Sequence, residues 1–293
     1  MSDPVTAVTP AIAAYQHILY DYELGRARIT LNRPEKRNAL SGLALRELQH
    51  ALWRADEDNR VHCVILRGAG KDFCSGYDLE HYKAEEDPGG EQRRGNHSFD
   101  DDAWQLERTL AMRMPLFDMH KPTIAQVHGR CLAGGTDLAL LCDMVICADD
   151  AQFGFPALRS QGSPPNHMWL YHIGPQWAKR LLLTGDSLLG TDAAALGLAM
   201  KCVPADKLAA EVEALADRLA LIDTDLLTSN KRIVNLGLEL MGARTLQRLA
   251  AETDARAHLA QSRNVFREQA TAHGIKEAVR LRDAPFGDGI ARR

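Results

Sequence analysis

Hydrophobic and polar positions alternate along the first half of the chain with two different periods. Short β-rich or aliphatic runs, of the length and composition of strands, occur in four segments: 17–34, 63–68, 122–129 and 144–150. Segment 41–58 instead spaces Leu45, Leu48 and Leu52 at intervals of three and four residues, which predicts an amphipathic helix. The succession of strands and helices predicts an α/β fold, in which right-handed crossovers join parallel strands.

Turn and capping residues refine these elements. Leu24-Gly25 separates two β-rich runs and predicts a hairpin, while Ser41 is expected to cap the first helix. Residues 83–103 are polar, contain glycine and proline, and predict a surface loop. The next segment, 104–120, predicts a helix that Pro115 ends or kinks.

The pattern becomes almost entirely helical after about residue 205. Segment 204–221 is amphipathic and begins with a proline, and three further helical segments follow it. We therefore expect three parts: a loose tail over 1–14, an α/β core over 15–205 and a helical region over 206–293.

Composition narrows the class of protein. The 293 residues are 45% hydrophobic and 25% charged, with a net charge of −4, which is ordinary for a globular protein and does not favour nucleic-acid binding. The longest apolar run, 138–148, contains Asp143 and is too short to cross a bilayer. Six scattered cysteines without a CxxC pair are typical of reduced, cytoplasmic thiols, and no histidine or cysteine spacing predicts a metal site.

Candidate chemistry appears where a strand ends near Gly129. Gly134-Gly135 then opens a helix, and paired glycines let another group approach the backbone closely. The first amide groups of a helix have no internal partner, so this turn predicts a binding site for an oxyanion. Asp137 follows one turn later on the same face. It is either an acid/base group above that site or a charge that complements the helix N-terminus.

Four stretches, taken in order, resemble the crotonase superfamily, the enoyl-CoA hydratase/isomerase family. They are "ITLNRPEKRNALS", "VILRGAGKDFCSGYDL", "KPTIAQVHGRCLAGGTDLALLCDMVICADDAQFGFP" and "RLLLTGDSLLGTDAAALGLAMKCVP". The resemblance implies a crotonase-like spiral of ββα units with a helical C-terminal region that serves in oligomerisation or as a lid. It also implies a homotrimer or dimer of trimers and an acyl-CoA thioester substrate. Coenzyme A would enter as part of that substrate, without another cofactor.

The resemblance also implies roles for particular residues. The backbone amides of Tyr77 and Gly134 would hold the thioester oxygen, and Asp137 falls on the first of two glutamates of a typical hydratase. The segment after the strand would run beside the acyl-pantetheine, so the candidate substrate-binding residues are Tyr77, Asp78, Leu79, Glu80 and Gly134.

The sequence departs from the family at the second glutamate, where it has Ala157. Some members use an aspartate instead, but its position in this chain is Pro165. The sequence therefore does not support an aspartate as the second acid/base group. His167 lies close by and is a candidate for the second catalytic acid/base, because imidazole titrates near neutrality. Its alternative interpretation is a packing residue beside Met168 and Trp169.

Other polar and aromatic residues have structural interpretations beside functional ones. We expect His128 to bond the backbone, Asp78 to form a cap or a turn salt bridge, and Asp143 to form a buried polar bond. The aromatic residues of 169–177 either line an acyl pocket or tie that region to the helical part. Lys231 is predicted on a helix face, near the coenzyme A phosphates of a neighbouring subunit.

These observations order the possible functions. Hydratase-type addition through a thioester enolate comes first, and an enoyl- or dienoyl-CoA isomerase that uses Asp137 alone comes close behind. Hydrolysis of an acyl-CoA or of a C–C bond, with His167 or His128 as base, is a third reading. The fourth is an acyl-CoA-binding protein without turnover. The length and ring character of the acyl group stay open.

Overall fold

The computed structural model describes residues 14–79 and 98–293. The strands in these ranges are β1 (Ile18–Glu23), β2 (Arg26–Leu31), β3 (Cys63–Gly68), β4 (Thr123–Val127), β5 (Arg130–Leu132), β6 (Met144–Ala148), β7 (Gln152–Gly154), β8 (Ser187–Leu189) and β9 (Lys201–Val203).

The helices are α1 (Gly42–Glu57), α2 (Phe99–Arg113), α3 (Pro115–Asp118), α4 (Gly134–Ala139), α5 (Trp169–Thr184), α6 (Gly190–Leu196), α7 (Leu208–Ala220), α8 (Thr224–Leu240), α9 (Ala243–Ala257), α10 (Gln261–His273) and α11 (Ile275–Asp283). Short 3-10 turns, among them Pro34–Lys36 and Pro156–Arg159, connect some of these elements.

Two sheets organise the described strands. The larger has the order β1-β2-β3-β4-β6-β9, in which β1 pairs antiparallel with β2 and every later pair is parallel. The smaller has the order β5-β7-β8. The four strand-bearing segments expected from the sequence are present, and the α/β class with parallel strands is confirmed. The three short strands of the smaller sheet were not predicted.

The hairpin and the first helix cap form as the sequence predicts. Leu24 and Gly25 have φ angles of 47° and 82°, and two consecutive left-handed residues make the tight turn that suits the twist of a hairpin. The Ser41 hydroxyl accepts a hydrogen bond from the amide of Ala44 at 3.0 Å, which satisfies one of the free amides at the start of α1.

The second helix begins earlier than predicted. The sequence indicated a loop through residue 103, but α2 starts at Phe99 because the Ser98 hydroxyl accepts from the amide of Asp101 and caps it. Aspartates in the first turn complement the positive end of the helix. The rest of the expected loop, 83–97, lies outside the described residues. Pro115 opens α3, so the expected interruption at this proline is confirmed.

The helical C-terminal region is also confirmed, and its first helix shares the core of the sheet. α7 contacts β3, β4 and β6, and its Leu208, Val212 and Ala216 belong to the same buried cluster as the strand residues. Arg26 of β2 reaches Glu213 of α7 at 2.7 Å and also pairs with Asp217. The division of the chain at residue 205 stays a prediction.

The six cysteines are free thiols, as the sequence indicated. Burial raises the pKa of Cys63 and of Cys74 to about 12, so these thiols are protonated at neutral pH. Within 14–79 and 98–293, no helix is long and apolar enough to cross a membrane. The same ranges hold no group of three histidine, cysteine or acidic side chains placed to bind a metal ion.

Candidate active site

The turn between β5 and α4 presents an unpaired backbone amide. Ala133 has φ 47° and ψ −116°, an unusual conformation for a residue with a side chain, and its carbonyl accepts from Thr136 and Asp137. The helix therefore begins abruptly at Gly134, whose amide donates to no other residue in the described ranges. A Cβ on Gly134 would lie 2.9 Å from Leu40 Cδ1 and 3.0 Å from Tyr77 Cζ, so this site needs glycine.

Segment 71–79 brings a second amide to the same place. Leu40 bonds the carbonyl of Gly76 and the amide of Asp78, which is the pattern of a parallel bridge centred on Tyr77. In such a bridge the amide of the central residue points away from its partner, and here it makes no hydrogen bond within the described chain. Gly76 has φ 114°, and a Cβ on it would lie 3.6 Å from the amide nitrogen of Gly134. The Tyr77 and Gly134 amides thus lie in adjacent turns, as expected from the sequence.

Asp137 is buried beside these amides. Its side chain belongs to a residue that is 2% exposed, and the Tyr77 phenol donates to Oδ2 at 2.5 Å, while Oδ1 has no hydrogen-bond partner in the described structure. Burial raises the pKa of Asp137 to about 7, although Arg113 and the Tyr77 hydroxyl act in the opposite direction. A carboxyl group that titrates near neutrality can both accept and return a proton.

Tyr77 makes side-chain contacts that the sequence did not indicate. The resemblance assigned its backbone amide a role, whereas its phenol bonds Asp137 and its ring covers Gly134. Burial raises the pKa of this phenol well above its usual value, so the hydroxyl stays protonated and donates to the carboxylate.

Arg113, at the end of α2, is a further residue that sequence analysis missed. It is 1% exposed, its Nε donates to Asn166 Oδ1 at 2.6 Å, and its guanidinium carbon lies 5.5 Å from the centre of the Tyr77 ring. Its signal was present: Arg113 follows the buried Ala103 and Leu110 at helical spacing, so it occupies a position on the apolar face of the helix.

Asn166 and His167 connect this site to α9. Gln247 accepts from the Asn166 side chain at 3.2 Å and from the His167 amide at 2.8 Å. Burial lowers the pKa of His167, which favours its neutral form, and its Nδ1 has no hydrogen-bond partner in the residues described. No hydrogen bond there joins His167 to Asp137, and its role as a second acid/base stays a prediction.

The remaining candidate substrate-binding residues follow Tyr77. Asp78 accepts from Arg33 Nη2 at 2.8 Å, which confirms the expected turn salt bridge. Leu79 is half-buried, and Glu80 lies outside the described residues. Position 157, in the 3-10 turn Pro156–Arg159, carries the half-buried Ala157 methyl group where the resemblance places the second glutamate of a typical hydratase.

The polar bonds expected for His128 and Asp143 are present, although Asp143 is more exposed than its apolar segment indicated. His128 Nε2 lies 3.0 Å from the carbonyl of Gly70. Asp143 accepts from the amide and hydroxyl of Thr123 at 2.7 and 2.9 Å, so it secures the start of β4.

Lys231 lies on α8, as the sequence predicts, and its proximity to the coenzyme A phosphates of a neighbouring subunit stays a prediction. Its ammonium group is buried against Asp143 at 2.9 Å and donates to the carbonyls of Leu116 and Lys121 at 3.2 and 3.1 Å. These contacts engage the ammonium group of Lys231 within the chain. Sequence analysis did not predict the burial of Lys231, because a lysine on a helix usually faces solvent.

Trp169 is fully buried at the start of α5, and Tyr171 donates to the carbonyl of Met241 at 3.3 Å. The burial of Trp169 and the bond of Tyr171 agree with the structural interpretation of these two aromatic residues.

A cavity of about 410 Å³ lies elsewhere, between α2 and α9. Its lining comprises Phe99, Asp100, Ala103, Trp104, Glu107 and Glu252. Three acidic residues make it unsuitable for the phosphates of coenzyme A, and it does not include Asp137 or Tyr77.

The chain matches the model of a known protein family and the sequences of several known proteins. The model of the enoyl-CoA hydratase/isomerase family matches residues 22–276. EchA13 of Mycobacterium tuberculosis, which carries an enoyl-CoA hydratase name, is 34% identical over 78% of this chain and 76% of its own length. A hydroxycinnamoyl-CoA hydratase-lyase of Pseudomonas fluorescens is 34% identical over 65% of this chain and 67% of its own.

Solved structures agree with these relatives. An enoyl-CoA hydratase from Mycobacterium smegmatis superposes with a TM-score of 0.86 and 35% identity, over 94% of this chain and 95% of that one. An enoyl-CoA hydratase/isomerase from Xanthobacter autotrophicus Py2 superposes with a TM-score of 0.85 and 35% identity, over 93% and 99%. The crotonase-like fold expected from the sequence is confirmed.

Proposed function

The chain belongs to the enoyl-CoA hydratase/isomerase family of the crotonase superfamily, and we propose that it adds water to a 2-enoyl-CoA thioester. The observation that carries this proposal is the position of Asp137, buried with a pKa of about 7 beside the unpaired amides of Tyr77 and Gly134. An enoyl thioester needs both parts: donors for its carbonyl oxygen and a group that moves a proton at neutral pH.

In the proposed reaction the thioester oxygen accepts hydrogen bonds from the two amides. The water oxygen bonds to the β-carbon, and the electron pair of the double bond moves towards the carbonyl, which becomes an enolate. Two fixed donors aimed at that developing charge contribute several kcal/mol, roughly 3 for each by comparison with other oxyanion sites.

Asp137 performs the proton transfers. As a carboxylate it takes a proton from the attacking water, and as the acid it returns a proton to the α-carbon, so that one water is added across the double bond. A single carboxyl group does both because Ala157 supplies none. The Tyr77 hydroxyl holds Oδ2 and leaves Oδ1 for the reaction.

Isomerisation is the second candidate, favoured by the same alanine. Moving a double bond requires one base that removes a proton from one carbon and returns it to another through an enolate. Asp137 and the two amides suffice for that chemistry without a positioned water.

The test compares the chain with Asp137→Asn on short and long trans-2-enoyl-CoA, following loss of the enoyl absorbance and product mass. We expect a product heavier by one water, and a loss of about 100-fold or more in kcat for Asp137→Asn. Asp150→Asn, at an exposed position, is the matched control and should keep its activity.

Two other outcomes have clear meanings. Conversion of 3-enoyl-CoA without a change of mass, and no action on 2-enoyl-CoA, would replace hydration by isomerisation. Absence of turnover with both substrate classes would overturn the proposal.

We also propose that the protein assembles in the cytoplasm as a homotrimer or a dimer of trimers. Its reduced cysteines support the compartment. Large apolar side chains lie exposed on and just after α8, among them Ile233, Val234 and Leu240, the last 91% exposed, and such a patch favours burial against another chain. Light scattering of the purified protein measures the number of chains.

A further inference from the structure

Arg113 carries a buried positive charge that forms no direct ion pair with a carboxylate in the described residues, although Asp137 is near enough for that charge to lower its pKa. The residue is 1% exposed, and no carboxylate oxygen of ranges 14–79 and 98–293 lies within 4.0 Å of its guanidinium nitrogens. Its Nε is used by Asn166, while Nη2 is buried without a hydrogen-bond partner. Buried charges in proteins are ordinarily paired, because removing an ion from water is costly unless another group replaces the water.

Other polar atoms near Arg113 lack partners as well. Oδ1 of Asp137 and Nδ1 of His167 are both buried without a hydrogen bond among the described residues. Tyr77 connects the first of these to Arg113, since its phenol bonds Asp137 and its ring faces the guanidinium. Asn166 connects the second, because it bonds Arg113 and precedes His167. Native structures leave few such atoms unsatisfied, so the unpaired atoms of Arg113 and Asp137, which lie on either side of Tyr77, indicate a polar ligand.

We propose that Arg113 binds a carboxylate on the acyl group of the substrate, so that the site takes coenzyme A monothioesters of short dicarboxylic acids. This inference rests on the proposed function, because it assumes that an acyl-CoA occupies the site, and it names the class of acyl group. A guanidinium offers two parallel N–H groups to a carboxylate, and such charge-assisted bonds are among the strongest in proteins.

The geometry limits the length of the acyl group. The guanidinium carbon lies 5.5 Å from the centre of the Tyr77 ring, and that ring lies against Gly134, whose amide is proposed to hold the thioester oxygen. The carboxylate must therefore be within a few carbon atoms of the thioester. A long alkyl chain would instead cover the guanidinium with apolar surface and leave its charge unpaired.

Asp137 does not oppose this arrangement. Its pKa of about 7 leaves a large share of the group uncharged near neutrality, which limits repulsion between Asp137 and a ligand carboxylate. The competing explanation is that Arg113 only holds Asn166 and stacks on Tyr77. In that case its charge would not discriminate between acyl groups.

The test measures binding of ligands that cannot react, by titration calorimetry of the full chain. The ligands are the coenzyme A monothioester of pentanedioic acid, its terminal carboxamide, and pentanoyl-CoA, which match in length and differ at the far end. We expect the carboxylate ligand to bind at least about tenfold more tightly than the other two.

Variants assign the preference to Arg113. Arg113→Gln should remove the tenfold difference, and Arg113→Lys, which keeps the charge but not the planar fork, should retain part of it. Arg108→Gln, at an exposed position of the same helix, should bind as the unchanged protein does. Equal binding of the carboxylate and carboxamide by the unchanged protein would overturn the proposal, as would an undiminished preference in Arg113→Gln.

The design separates this inference from the proposed reaction. The ligands are saturated, so their binding is independent of hydration, and a chain without hydratase activity can still prefer the carboxylate. If Arg113→Gln does not fold, as circular dichroism would show, the comparison of carboxylate with carboxamide on the unchanged protein decides. If no coenzyme A ester binds, both proposals fall together.

Discussion

Tyr77 serves the site through two chemically different groups. The parallel bridge to Leu40 fixes the position of its amide. The packing of its ring over Gly134 fixes the position of its phenol. The two can be separated, since a change of side chain leaves the amide in place. The hydroxyl donates to the charged form of Asp137, and this lowers a pKa that burial raises.

Tyr77→Phe should therefore raise the pKa of Asp137 above about 7. If Asp137 acts as the base, activity appears only as it ionises, so the rising limb of the pH profile of kcat/KM should move to higher pH. We expect a shift of about one unit, which lowers the rate at neutral pH by up to about tenfold.

Tyr171→Phe is the matched control, because that hydroxyl bonds the carbonyl of Met241 away from the site. Its pH profile should stay unchanged. A Tyr77→Phe profile with the rising limb in place, or moved to lower pH, would contradict the proposed coupling of the phenol to Asp137.

The sequence predicts the residues of the site only where spacing within one element decides. Gly134 and Asp137 lie on one short helix, so their relation can be read directly. Arg113 and Asn166 meet across an interval of 53 residues, and a single sequence holds no signal for that contact. Glycine spacing and family resemblance find the backbone groups, while the side chains around them depend on packing.

At the scale of elements, the abrupt start of α4 depends on the smaller sheet. β5 pairs with β7, and Ala133 donates to Gly154 at 2.9 Å, which holds the turn that opens the helix. These strands were not predicted because three residues are too few to show a period. The longer strands β3, β4 and β6 were predicted from their apolar runs, as parallel strands covered on both faces require.

An ion pair between the buried Lys231 and the more exposed Asp143 joins α8 to this framework. Lys231 contacts Asp143 and two carbonyls beside α3 and β4. Lys231→Met should lower the free energy of unfolding by roughly 1 to 3 kcal/mol, because Asp143 and the carbonyls of Leu116 and Lys121 lose a charged donor. Urea denaturation followed by circular dichroism measures the change.

The exposed Lys179→Met provides the control and should change stability by less than about 0.5 kcal/mol. Adding Asp143→Asn to Lys231→Met should recover part of the loss, since the unpaired charge is then removed. If Lys231→Met costs no more than the control, the ion pair does not stabilise the attachment of α8.

At the scale of the whole molecule, the site depends on both parts of the chain. Gln247 of α9 bonds Asn166 and His167, and Asp254 accepts from the amide of Ser163 at 2.8 Å. The sequence distinguishes an α/β part from a helical part because their periods differ. The spacing of apolar residues does not show which surfaces contact each other. The sequence therefore does not reveal that the helical part supports the site.

The contact of α7 with the sheet decides whether 206–293 is a separate unit. Leu208 and Val212 are buried in the sheet's own cluster and together contribute roughly 3 to 6 kcal/mol, which is comparable with the whole stability of a typical domain. A fragment of residues 1–205 should therefore lack the cooperative unfolding transition of the full chain and bind a dye for exposed apolar surface.

Co-expression of residues 206–293 should restore a folded complex if the missing packing is the cause, because α7 can then cover the sheet again and Arg26 regains Glu213. Denaturant unfolding of fragment, complex and full chain provides the comparison. A fragment that unfolds cooperatively at the midpoint of the full chain would show instead that the core folds alone. In that case the helical region would not be needed for the core that carries the site to fold.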